Sequence, residues 1–165
     1  MIDRAYATTM AAYNGWMNRR LYEACAGLSD AQRRKDVGAF FKSIHGTLNH
    51  LLVGDRVWMS RFLRRPVSIT ALDQELYSDF DALRVGRQET DGEITAWAEG
   101  LSESSLRGTL SYTSIVNPAA KTIPFSLAVV HMFNHQTHHR GQVTALLMQA
   151  GVDPGITDLI GLPNP

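Results

Sequence analysis

The sequence predicts an all-α fold, a four-helix bundle with a short extended or hairpin insertion before its last long helix. Three observations carry this. Apolar residues recur at steps of three and four through four long stretches, the period of a helix with one buried face. Between residues 106 and 122 that period gives way to alternation. Gly, Pro and Ser cluster between the long stretches rather than within them.

The first helix is expected over residues 3–26, where Tyr6, Met10, Tyr13, Met17, Leu21 and Ala24 share a face. It ends near Gly27, and Ser29-Asp30 opens an irregular charged connection holding Arg33, Arg34 and Lys35. The second spans about residues 43–63. Its stripe is Phe41, Ile44, Leu48, Leu51, Asp55, Trp58 and Phe62, with Asp55 the single acid on an apolar seam, and Pro66 stops it. The third covers about residues 73–101, and a start a few residues later also fits. On its inner side Arg87 and Asp91 stand at i and i+4, which reads as a partly buried ion pair or as part of an anion site.

Thr109, Ser111 and Thr113 then alternate with Leu110, Tyr112 and Ile115 before Asn117-Pro118, a short hairpin or extended connection. A connection of this length lets the helices on either side run in the same direction, as a tight turn would not. The fourth helix starts near Pro124-Phe125-Ser126 and stops at Gly151, residues suited to a first turn and a C-terminal cap. The tail, with Pro154, Gly155, Gly161 and Pro163, is expected to pack irregularly over one end. No repeat or linker divides the chain, so residues 1–165 are expected to form one domain.

Composition narrows the function classes. Lys plus Arg balances Asp plus Glu at 16 each, so no net field favours nucleic acid. No apolar run approaches the roughly 20 residues of a membrane span, and no signal-peptide core follows Met1. A cytoplasmic location is the expectation. The single Cys25 has no intrachain partner and is expected to pack as a small apolar residue.

The chemistry concentrates at the far end. His131, His135, His138 and His139, four of the six histidines, fall within the fourth helix. Imidazole is the commonest protein metal ligand near neutral pH, and two at i and i+4 project from one helical face. With Leu127 as origin, His135 and His139 fall at about 80° and 120°, on the arc of Ala128, Met132, Val143 and Leu146. His131 and His138 fall at about 40° and 20°, toward Asn134, Gly141 and Gln142. The first pair thus faces apolar neighbours, where an ion meets little competing water. A hydrogen-bonded core pair is the competing reading, and two ligands make an incomplete site. A third donor must come from elsewhere. His45 and His50 both lie on the second helix, and periodicity favours neither, although Gly54, one turn beyond His50, leaves room for close approach.

Two segments carry a family resemblance. Thr47-Leu48-Asn49-His50-Leu51-Leu52-Val53-Gly54-Asp55-Arg56-Val57-Trp58 resembles the second-helix signature of the DinB/YfiT-like metalloenzymes. Asn134-His135-Gln136-Thr137-His138-His139-Arg140-Gly141-Gln142-Val143 resembles their fourth-helix signature. Asn14, Trp16 and Asn18 resemble the family's opening, and residues 151–158 its tail. The resemblance implies helices running up-down-down-up, a homodimer, and a divalent metal held by three histidines, which match His50, His135 and His139. His131 and His138 would then support the ligands or the fold. The family shares its name with an error-prone DNA polymerase, yet this chain is too short for one and has no acidic cluster for a two-metal site.

Three imidazoles leave a coordination position open, the pattern of catalytic rather than structural zinc sites. Bound water at such an ion ionises near pH ~7, and a coordinated thiol loses its proton. Relatives of the family include transferases and isomerases that use low-molecular-weight thiols. The expected activity is therefore metal-dependent thiol transfer, or a related hydrolysis, on a small electrophilic substrate. Zinc or nickel leads as the ion, with iron and copper compatible. Asp55 is a candidate to orient a ligand or water, and Arg87 or Arg140 to bind a carboxylate. The alternative is a stress-associated metal-binding bundle without turnover.

Overall fold

The computed structural model describes residues 2–117 and 119–163. Helix α1 (Arg4–Ala26) is capped by the Asp3 carboxylate, which accepts from the Tyr6 N–H. A single turn of helix, α2 (Asp30–Arg34), follows. This corrects the expectation of an irregular connection: Ser29 and Gln32 form a reciprocal capping box that satisfies orphan N–H groups at its start. Helix α3 (Ile44–Phe62) is capped by Ser43 and matches its expected span. Helix α4 (Phe80–Glu99) starts well after residue 73, because Asp79 caps it and the preceding segment is pinned to α3 instead. Asn49 does the pinning: its Oδ1 accepts from the N–H groups of Leu76 and Tyr77, and its Nδ2 donates to the Tyr77 carbonyl.

The alternating segment forms a hairpin, as expected, after one turn of helix, α5 (Glu103–Leu106). Strands β1 (Thr109–Thr113) and β2 (Ala120–Pro124) pair antiparallel, with Leu110 opposite Ile123. Of the expected Asn117-Pro118 turn, Pro118 lies outside the described residues. Helix α6 (Phe125–Gln149) ends as its sequence predicts. Gly151 adopts φ 79°, and the N–H of Val152 returns to the Leu147 carbonyl, closing the last turn. The tail runs back along α1, where the Tyr13 hydroxyl donates to the Thr157 carbonyl at 2.6 Å.

Around the bundle, α1 neighbours α4 and α6, and α3 neighbours the same two, so α1 and α3 are diagonal. Directions follow from side-chain pairs. Tyr22 stacks on Phe80 near one end, and Asn18 meets Asp91 further along, so α1 and α4 are antiparallel. His50 meets His139 while Phe62 meets Phe125, so α3 and α6 are antiparallel too. Asp55 meets Arg87 and Phe62 stacks on Trp97, making α3 and α4 parallel. Taken together, the long helices run up-down-down-up. The parallel neighbours α3 and α4 are joined by the extended crossover 63–79, not by the hairpin. The hairpin connects α4 and α6, which oppose each other, and so corrects the direction inferred from its length.

Among the described residues two large apolar clusters fill the bundle, one around Met17, Leu21, Leu48 and Leu147, the other around Trp58, Ile94, Met132 and Phe133, and a small third one joins Val53, Val57 and Ile69. Between the two large clusters lies a layer of buried polar groups. Arg87 donates to Asp55 at 2.6 Å and is ion-paired with Asp91 at 2.8 Å. Asp91 also accepts from Asn14 and Asn18, both at 2.9 Å. Burial disfavours the Arg87 charge, but its two carboxylates outweigh that and hold it protonated beyond its ordinary range. Among the described residues, no helix is long and apolar enough to cross a membrane.

Candidate metal centre

Three imidazoles from two helices meet at one point. The Nε2 of His50 on α3 lies 3.1 Å from Nε2 of His135 and 3.2 Å from Nε2 of His139, both on α6. The α6 pair follows from helical spacing, one turn apart on the inner face. His50 arrives because α3 runs antiparallel beside that face.

The protons on these rings can be placed from their partners. His50 Nδ1 lies 2.7 Å from the Leu72 carbonyl, an acceptor only, so Nδ1 carries the proton and Nε2 a lone pair. His139 Nδ1 faces the Gln142 Oε1 at 2.8 Å, while the Gln142 amide nitrogen faces His138. That too leaves a lone pair on Nε2. Two lone pairs 3.2 Å apart have nothing to share, and a third ring points at the same spot. Such an arrangement asks for a cation. Nitrogens bound at about 2.1 Å to one ion lie about 3.0–3.4 Å apart for angles of roughly 90–110°, and the observed separations fall in that window. The donor set and its spacing therefore fit a divalent metal.

Electrostatics agree. Burial pushes His50 down to about 4, partly offset by its bond to Leu72. Burial and the neighbouring imidazoles push His135 down to about 3. His139 is lowered as well, chiefly by burial. All three are neutral at pH 7, so a metal displaces no proton from them.

Supporting residues fix the rings. Phe41 lies face to face with His50, with centroids 3.7 Å apart and planes 15° from parallel. Gly54 leaves the space for His135: a Cβ there would stand 2.7 Å from the His135 Cε1. The room seen in the sequence at Gly54 is thus taken by a ligand ring. Directly after His135 and His139 come Gln136 and Arg140, and both enter the buried polar layer. Gln136 donates to Asp55 Oδ1 at 2.9 Å, and Arg140 donates to the Asn14 side chain. In this way the layer clamps the turn of α6 that carries both imidazoles.

This placement corrects three expectations. Asp55, Arg87 and Arg140 are each 1–2% exposed and lie in the bundle interior, outside the cleft at the histidines. Both Asp55 oxygens bond within the buried layer, one to Arg87 and one to Gln136, and not toward the cleft. Arg87 is consumed by Asp55 and Asp91, the ion-pair reading of its spacing. Arg140 stacks over Tyr13 and holds Asn14. His131 packs edge-on against Trp58 with its ring 6.2 Å from that of His135 and does not line the cleft, whereas His138 does. His45 is a structural histidine, its Nε2 2.9 Å from the Tyr77 carbonyl.

The cleft beside the trio measures about 530 Å³ and is walled by Phe40, Phe41, Leu72, Asp73, His138 and Gln142. Gln142 was legible as the i+3 neighbour of His139. Phe40, Phe41 and the Leu72 carbonyl were not, because only the tertiary fold brings their loops over α6.

Comparison with known proteins agrees with the helical fold. A family model described as "DinB family" matches residues 1–165. Protein DinB of Bacillus subtilis (strain 168) is 24% identical over 168 residues, covering 93% of this chain and 91% of the relative. A crystal structure of a DinB-like protein from Bacillus cereus ATCC 10987 superimposes with a TM-score of 0.58 at 18% identity, covering 91% of both chains. With the bundle, the histidine trio and a match along its whole length in agreement, the chain belongs to the DinB family.

Proposed function

We propose that the protein binds one divalent metal through His50, His135 and His139 and uses it as an enzyme, transferring a low-molecular-weight thiol to a small electrophile or hydrolysing such a substrate. The observation that carries this is the convergence of three Nε2 atoms at the floor of an open cleft. A closed structural site would have a fourth protein ligand. A divalent ion there supplies Lewis acidity, making a thiol or water that reaches it acidic near neutral pH. The chain's own residues do the rest. Leu72 and Gln142 hold two imidazoles in the ligating tautomer, Phe41 and Leu72 exclude water, and the buried layer keeps α6 in register. Zinc and nickel suit three neutral imidazoles, and the protein is expected to work as a homodimer.

The alternative, a metal-binding bundle without turnover, draws support from the sparse polar lining. Besides the trio, the side chains that bring polar groups to the cleft are His138, Gln142 and Asp73, and the first two are bonded to each other. Metal analysis of the wild type and of the His50→Ala and His139→Ala variants tests the site. Near-stoichiometric metal is expected in the wild type and little in either variant; full retention in both defeats the ligand assignment. A thiol-transfer screen of the loaded protein then separates the two readings, since a protein that holds metal yet turns over nothing supports the second.

A further inference from the structure

Phe40 is 85% exposed, an unusual state for so large an apolar ring. It is also held there. The loop carrying it folds back on itself, with the Val37 N–H donating to the Lys42 carbonyl at 2.9 Å and the Lys42 N–H to the Ala39 carbonyl at 2.7 Å. Lys42 takes φ 66° to close the turn, a left-handed conformation that is strained for a residue with a side chain. Gly46 lets the loop settle on α3, since a Cβ at that position would collide with the Phe41 carbonyl. The result is an ordered aromatic pair. Phe41 covers His50, and Phe40 stands edge-on to Phe41 with centroids 4.8 Å apart and planes at 70°. Leu72 lines the same cleft.

Strain, a fitted glycine and solvent exposure all go toward placing a bare ring beside the three imidazoles. A ring that served only the core would be covered, as Phe133 and Phe80 are. We propose that Phe40 is a specificity-determining residue: it stacks against an aromatic or similarly flat apolar group on the ligand whose polar head reaches the histidine trio. The inference rests on the metal-site reading above and assigns the substrate class of that site. The volume of about 530 Å³ accommodates one such molecule, with its head at His50 and His139 and its flat body along Phe40 and Leu72. An aromatic contact of this kind is worth several-fold in affinity.

The test uses two probes with one metal-binding head, benzohydroxamate and acetohydroxamate, titrated into the zinc-loaded full-length protein by calorimetry. Wild type should bind the aromatic probe about tenfold more tightly than the small one. Phe40→Ala should cut that ratio by roughly three- to tenfold while leaving zinc stoichiometry and acetohydroxamate affinity unchanged. Phe40→Trp should retain the ratio. Equal affinity of the two probes in wild type, or a ratio untouched by Phe40→Ala, overturns the proposal. A Phe40→Ala protein that keeps the ratio but changes its oligomeric state assigns the ring to a contact between copies and overturns it equally. Failure to load zinc at all brings down the metal-site reading and this inference together, an outcome distinct from a loaded site without preference.

Discussion

Gly54→Ala separates the metal site from the fold more sharply than removing a ligand does. The added methyl would stand 2.7 Å from Cε1 and 3.2 Å from Nδ1 of His135. Carbon atoms tolerate about 3.5 Å, so the ring must retreat by roughly 0.8 Å. Metal–nitrogen bonds tolerate about 0.2 Å. The displacement therefore removes His135 from the coordination sphere, and affinity should fall about 100-fold. Without metal the effect has the opposite sign. His135 Nδ1 has no partner to lose, and Ala in mid-helix is favoured over Gly by about 1 kcal/mol. At zinc of 1,000 times the wild-type Kd, binding stabilises wild type by about 4 kcal/mol, but a variant with 100-fold weaker binding by only about 1.4 kcal/mol. For a domain of this size that is a rise in Tm of roughly 8–16 °C against roughly 3–6 °C. Thermal melts with chelator and with saturating zinc read both quantities. A Gly54→Ala protein with the full zinc-induced rise would refute the packing argument and the ligand role of His135 with it.

Three further outcomes are expected. Asp55→Ala leaves the Arg87 guanidinium with Asp91 alone and orphans the Gln136 amide, so urea melts should show a loss of about 3–5 kcal/mol; a loss below 1 kcal/mol would mean the buried layer does not clamp the bundle. Asn49→Ala removes three of the bonds that tie residues 76–77 to α3, leaving His45 on Tyr77 and His50 on Leu72, so it should cost about 2 kcal/mol, and limited proteolysis should then cut within the crossover 63–79 first. Metal-free protein should weaken on mild acidification. His50 and His135 stay neutral when folded until about pH 4 and 3, whereas unfolded imidazoles charge near pH ~6.5. Below pH ~6.5 the unfolded chain therefore binds more protons, so stability falls as pH drops through that window and levels off below about 3. An unchanged urea midpoint between pH 7 and 4.5 would contradict this, and His50→Ala should flatten the slope.

Much of the architecture was legible because helix formation is local. The stripe from Ile44 to Phe62, the opening of the last helix at Pro124 and its stop at Gly151 each act within a few residues of themselves. The pair His135 and His139 was legible for the same reason, since a 3.6-residue period puts both on the inner face. Asp55, Arg87 and Arg140 misled as site candidates because a charged residue looks the same in sequence whether it faces a ligand or a buried polar partner on the neighbouring helix. The late start of α4 was hidden because Asn49, 27 and 28 residues before the two N–H groups it accepts from, holds the segment that an apolar period had assigned to the helix.

What the sequence alone determined is the set of four rods, the face each one buries, and two nitrogens on a single face. Tertiary structure chose His50 over His45 as the third donor, turned Asp55 inward to Arg87, and set Phe40 at the cleft mouth. The reason is physical. Periodicity fixes a side chain's direction about its own helix axis, but which direction meets which is decided only when four helices settle their neighbours, directions and heights at once.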